Sequence, residues 1–121
     1  MICLGVDAVD IERFRRLLAR RPAVAERIFT EGERSYLAGR ADPVPGLAAR
    51  FAAKEATMKA LGTGLGGVGF SEVEVLSDDS GAPHLEVSGR AALRAEQLGV
   101  HYWHVSLTHT DSVAAAVVVA D

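Results

Sequence analysis

A single cysteine, Cys3, stands among the 121 residues, and one thiol cannot close an intrachain disulfide. No covalent staple holds the chain, and a reducing, cytoplasmic setting is expected. Cys3 itself reads as a small apolar packing residue rather than a catalytic thiol. Long apolar runs are also missing: none reaches the roughly 18 residues that span a bilayer, and no basic-then-apolar leader opens the chain. A soluble protein with no membrane partner is the expectation. Charge of one sign is not in excess either. With 13 Lys and Arg against 16 Asp and Glu, the net charge is −3, and no nucleic-acid partner is expected.

Several familiar catalytic signatures are absent too. "GTGLGG" (62–67) has the letters of a dinucleotide fingerprint, but that motif follows a strand and opens a helix, whereas here the order is reversed. No G-x-x-x-x-G-K-[ST] loop occurs, which excludes a P-loop. The closely spaced glycines still allow backbone N–H groups to approach an anion. His84, His101, His104 and His109 lack paired cysteines and an H-E-x-x-H helix, which argues against zinc. His101 and His104 read as facing opposite sides of a strand. Ser106 and His109 sit in no nucleophile elbow, which argues against a serine hydrolase.

What remains is a length suited to one domain, residues 1–121, with a single modest core. "MICLGVDAVD" alternates, with Ile2, Leu4 and Val6 in one phase, and predicts a first strand. Asp10 can cap a helix whose apolar positions are Ile11, Phe14, Leu17 and Leu18. Pro22 restarts the chain into a short helix through Ile28. Thr30 and Glu33 have capping-box spacing, predicting a helix to about Ala38, and "ADPVPG" (41–46) reads as a loop before the next helix. After the glycine-rich stretch, "SEVEVL" and "HLEVS" predict strands joined by "SDDSG". A helix over "GRAALRAEQLG" follows, then strands at "YWHVSLTH" and "VAAAVVVA". Helices precede most strands without regular alternation, which predicts an α+β fold with an antiparallel sheet.

Charge is unevenly placed. Between Glu12 and Arg27 six arginines face two acids, and Arg13, Arg16 and Arg20 share one helical stripe. This is either a solvated face or a dock for an acidic partner. "RFAAKEATMKALGTG" (50–64) is more specific. Leu47, Phe51 and Met58 form an apolar stripe, and Ala49, Ala53, Ala56 and Ala60 a small-residue face. Glu55 and Lys59 stand on one edge between them and Arg50 and Lys54 on the other. A plain Glu55–Lys59 pair leaves Arg50 and Lys54 without an acid, so the alternative is a bound polyanion. A carboxylate among phosphates implies a cation, and carboxylate, phosphate and water oxygens are the usual Mg²⁺ donors. Asp7, interrupting an apolar strand, is the candidate second carboxylate.

"GVDAVDIERF" (5–14), "RFAAKEATMKALGTG" (50–64) and "HVSLTHTDSVAAAVVV" (104–119), with "FTEGERSYL" (29–37), resemble the signature segments of holo-[acyl-carrier-protein] synthases. The resemblance covers nearly the whole chain in order. It implies transfer of 4′-phosphopantetheine from coenzyme A to a serine of apo-acyl carrier protein, releasing adenosine 3′,5′-bisphosphate, with the carrier serving fatty acid biosynthesis or polyketide synthesis. It implies Mg²⁺ on Asp7 and Glu55, with Lys59 near the pyrophosphate. Arg50, Gly62, Gly64, His104 and Thr108 match coenzyme A positions, and Arg13, Arg16, Arg20 and Arg27 the region that meets the carrier. A homotrimer with interfacial sites is also implied, in which the 50–61 alanine face and "VAAAVVVA" would lie in or near the contacts.

Overall fold

The computed structural model describes residues 1–63 and 67–121. The opening alternation produces strand β1 (Cys3–Asp10), and Asp10 accepts a hydrogen bond from the Arg13 amide to start α1 (Ile11–Arg20). Helices α2 (Pro22–Ile28), α3 (Glu31–Ala38) and α4 (Val44–Leu61) follow, and the expected capping box of Thr30 and Glu33 is formed. A 3-10 turn (Phe70–Glu72) leads to β2 (Val73–Ser77), β3 (Pro83–Val87), α5 (Gly89–Gln97), β4 (Trp103–His109) and β5 (Val113–Ala120). The fold is α+β and antiparallel as expected, but the strands divide into two sheets: β1-β5-β4 and the hairpin β2-β3.

Helix α4 begins earlier than the sequence suggested. Pro45, assigned to a loop, lies in its first turn, where a missing N–H breaks no hydrogen bond. Gly62 ends the helix in the left-handed conformation at φ 69°, which a glycine adopts at no steric cost. Between these ends α4 runs through the centre of the molecule, buried on almost every side. Its small-residue face packs inward: Ala53 and Ala56 are fully buried, and Ala49 and Ala60 nearly so. This overturns the expectation that the alanine face serves an assembly contact. It serves the protomer's own core.

The closeness of that packing is set by Gly5. A Cβ at this position would lie 1.7 Å from the Ala56 carbonyl oxygen, so β1 rests directly on the backbone of α4. This contact carries Asp7 to the α4 turn that bears Glu55 and Lys59. Gly5→Ala should therefore destabilise the protein by about 2–3 kcal/mol, the upper range for overpacking a core. Urea denaturation measures this directly, and an unchanged midpoint would contradict the close approach.

The phase of β1 is also informative. Gly5 is buried, whereas Ile2, Leu4 and Val6 are 66, 66 and 63% exposed. The apolar phase faces away from α4. Across the sheet Leu4 pairs with Val119 and Val6 with Val117, and these continue to His104 and Ser106 on β4. The result is an apolar sheet face bordered by polar β4 side chains.

The acid that the sequence reading did not find for Lys54 is Glu33. Lys54 Nζ lies 2.8 Å from Glu33 Oε1, both side chains are wholly inaccessible, and the ammonium also donates to the carbonyls of Phe70 and Val73. Glu33 in turn accepts from the amides of Thr30 and Val75. Desolvation lowers the Lys54 pKa, opposed by the charge of Glu33. Lys54 thus ties α3, α4 and β2 together and is not available to a phosphate.

Candidate active site

Strand β1 and helices α1 and α4 enclose a cleft of about 500 Å³. Phe14, Leu17 and Phe51 form its apolar floor, and Asp7, Glu55, Arg13 and Arg20 lie on its walls. The floor is ordered by ring packing, with Phe51 stacked on Phe14 at 5.2 Å and Phe70 against Phe51 at 5.5 Å. Sequence reasoning placed Phe14 and Phe51 only as core positions. Their role as a cleft floor depends on how α1 crosses α4, which neither helix's pattern specifies.

Asp7, Glu55 and Lys59 come together as expected, but with different pairing. Lys59 Nζ lies 3.0 Å from Asp7 Oδ1 and donates to the Val6 carbonyl at 3.0 Å. The i,i+4 partner Glu55 is passed over because the strand offers two oxygens at once, while Glu55 offers only a carboxylate across one helical turn. Glu55 has a raised pKa, first from desolvation and then from the charge of Asp7, partly offset by Lys59. Ionised Glu55 therefore weakens the fold slightly, an effect absent below the ordinary carboxylate range and developing as pH rises through its raised pKa. A cation held between the two carboxylates would relieve that repulsion. The donor set, two carboxylates with room for further oxygens, fits a hard divalent ion such as Mg²⁺ rather than a soft one.

Arg13 and Arg20 border the cleft and Arg16 stands exposed on the same helix, whereas Arg27 lies exposed near the end of α2 and does not line the cleft. Arg15, the remaining α1 arginine beside them, is engaged by Glu12 and Asp42. Among the described residues Arg13, Arg16 and Arg20 enter no ion pair, so their charge is available to a partner.

Arg50 lies elsewhere. It is 5% exposed, its Nη2 donates to Ser77 Oγ at 3.2 Å, and its guanidinium sits 5.1 Å from the Tyr36 ring centre, which Arg40 also faces at 5.5 Å. Burial lowers the Arg50 pKa, and its Nε has no hydrogen-bond partner among the described residues. Tyr36 and Ser77 complete a cationic, hydroxyl-bearing cluster that the sequence reading did not anticipate. Gly62 closes α4, and Gly64 lies outside the described residues. His101 precedes β4 rather than sitting within it. His104 and Thr108 are exposed on β4, opposite Val119 and Ala115, on the sheet face turned away from Asp7 and Glu55.

Comparison with known proteins fits this arrangement. Residues 3–118 match the family model described as the 4′-phosphopantetheinyl transferase superfamily. The chain belongs to that superfamily. Among phosphopantetheinyl transferases, the holo-[acyl-carrier-protein] synthase of Streptomyces avermitilis is 50% identical over 121 residues, covering 100% of this chain and 98% of that protein. The crystal structure of the Neisseria meningitidis holo-[acyl-carrier-protein] synthase superposes with a TM-score of 0.89 at 35% identity, covering 100% of this chain and 99% of that one. A Chronobacterium ammoniagenes structure described as an ACPS–CoA complex gives 0.87 at 30% identity, covering 99% and 96%. This phosphopantetheinyl transferase therefore shares both sequence and fold with that group along its whole length. Among its described residues no helix is long and apolar enough to cross a membrane.

Proposed function

We propose that this transferase moves 4′-phosphopantetheine from coenzyme A to a serine of an apo-acyl carrier protein, with Mg²⁺ held by Asp7 and Glu55. The observation that carries the reading is the Asp7–Glu55–Lys59 constellation on a cleft walled by Arg13 and Arg20. The carrier serine oxygen bonds to the β-phosphorus of coenzyme A, and the bond from that phosphorus to the bridging oxygen breaks. Adenosine 3′,5′-bisphosphate leaves with that oxygen, and the serine proton passes to a base. When bound, Mg²⁺ supplies Lewis-acid stabilisation of the pyrophosphate charge. Lys59 adds a positive charge where the leaving group develops negative charge. Glu55, Asp7 or a water beside them takes that proton.

The same reading assigns Arg50, Gly62, Gly64, His104 and Thr108 to coenzyme A. The Arg50 cluster suits a phosphate: a desolvated guanidinium with an unused N–H, a second arginine, and two hydroxyls. The apolar sheet face of Leu4, Val6, Val117 and Val119 is where further copies of the chain would pack, forming the homotrimer and bringing His104 of one copy to the cleft of another. A cytoplasmic location accompanies these substrates. Incubation with apo-carrier protein, Mg²⁺ and coenzyme A should add the mass of the phosphopantetheine arm to the carrier serine. Cleavage of coenzyme A without carrier modification would instead indicate a hydrolase.

The arginine wall meets the acidic carrier in this reading. Arg13→Glu with Arg20→Glu should raise the carrier KM about tenfold or more, with coenzyme A binding unchanged. The wild-type carrier KM should also rise with salt, since exposed charges are screened beyond roughly 8 Å at physiological ionic strength. Steady-state kinetics at several salt concentrations checks both. A KM indifferent to salt and to charge reversal would make the stripe a solvated face.

A further inference from the structure

We infer that Lys59 and a divalent cation compete for Asp7, so that release of the Lys59 ammonium couples metal binding to binding of the substrate pyrophosphate. The inference rests on the metal reading above and deepens it. Lys59 Nζ sits 3.0 Å from Asp7 Oδ1 and 3.0 Å from the Val6 carbonyl, so the ammonium already engages a carboxylate that a cation on Asp7 and Glu55 would need. The charges of both Asp7 and Lys59 reach Glu55, so all three groups share one small electrostatic field. A divalent ion placed on both carboxylates would lie beside the ammonium. Coulomb repulsion between them, in a partly desolvated cleft, opposes holding both on Asp7 at once.

The lysine is built to leave. Its side chain is 55% exposed while that of Asp7 is 18% exposed, so the ammonium can swing outward on its flexible stem without disturbing the core. An arginine would hold the aspartate with a planar, two-pronged fork, whereas a lysine gives a compact charge that exchanges partners readily. With the cation on both Asp7 and Glu55, the displaced ammonium meets neutralised carboxylates unless an anion arrives. A pyrophosphate bound at the same ion provides that anion. Metal alone therefore binds against the loss of an ion pair, and metal with coenzyme A binds without that loss. By linkage each ligand strengthens the other by the same factor.

Mn²⁺ serves as the probe, with the free ion followed by electron paramagnetic resonance in the absence of coenzyme A. Lys59→Met should bind Mn²⁺ about fivefold more tightly than wild type, the equivalent of about 1 kcal/mol, the upper end for an ion pair with an exposed partner. Arg13→Met removes a positive charge from the wall of the same cleft without unseating Asp7, and should change affinity less than about twofold, as expected of a screened charge. Coenzyme A should tighten Mn²⁺ binding in wild type by a factor that shrinks about fivefold in Lys59→Met. Equal or weaker Mn²⁺ binding by Lys59→Met, an equal gain in Arg13→Met, or an unchanged coenzyme A factor would overturn the competition. Asp7→Asn separates the two readings: it should lose Mn²⁺ binding, and wild-type affinity there would remove the metal assignment itself.

Discussion

Alanine in place of Asp7 or Glu55 should lower phosphopantetheine transfer by about two to three orders of magnitude, the range for losing one group that stabilises transition-state charge. The fold should survive both changes. Among the described residues Asp7 pairs only with the half-exposed Lys59, and such pairs contribute about 1 kcal/mol or less. Glu55 is penalised by desolvation and by the charge of Asp7, so its removal should leave thermal stability at pH 7 unchanged or slightly improved. Activity and thermal unfolding measured on the same preparations therefore separate a site defect from a folding defect. Transfer within about tenfold of wild type in both variants at saturating Mg²⁺ would remove the two carboxylates from the chemistry.

Glu55→Ala and His104→Ala proteins, each nearly inactive alone, should regain activity when unfolded together and refolded as a mixture. The reason is the geometry of the β1-β5-β4 sheet. Asp7 and Glu55 lie on the α4 side of β1, while His104 lies on β4 in the row of Val119 and Leu4, on the opposite face. In the proposed assembly, two copies packed through the exposed apolar face would bring the two sets of groups to one coenzyme A. In a cyclic assembly with random mixing, about a quarter of interfaces join an intact carboxylate side to an intact histidine side. Recovery should approach that fraction of wild-type activity, with mixed assembly verified by native mass spectrometry. No recovery in verified mixed assemblies would place both residues in one site within a single copy.

Much of this protein is determined by the sequence alone, and the parts share a physical character. Asp10 before Ile11, the Thr30–Glu33 capping box, Gly62 after α4 and the alternation of β1 are local relations, resolved within a few residues. The antiparallel α+β class follows from them. The Asp7–Glu55–Lys59 set was legible too, because each residue departs from the apolar pattern around it and the signature segments repeat that departure. Tertiary structure decided what those charges touch. Lys54 and Arg50 stand on the same edge of α4 in sequence terms, yet Lys54 is neutralised by Glu33 from α3 while Arg50 joins Tyr36, Arg40 and Ser77. Lys59 turned from its helical neighbour Glu55 to a strand partner 52 residues away. The alanine face closed inward on β1 because Gly5 admits the α4 backbone, which left the valine and leucine phase of β1 and β5 outside. A side chain's partner depends on which elements the core brings within a few ångströms, and charge interactions act over that distance whatever the separation along the chain.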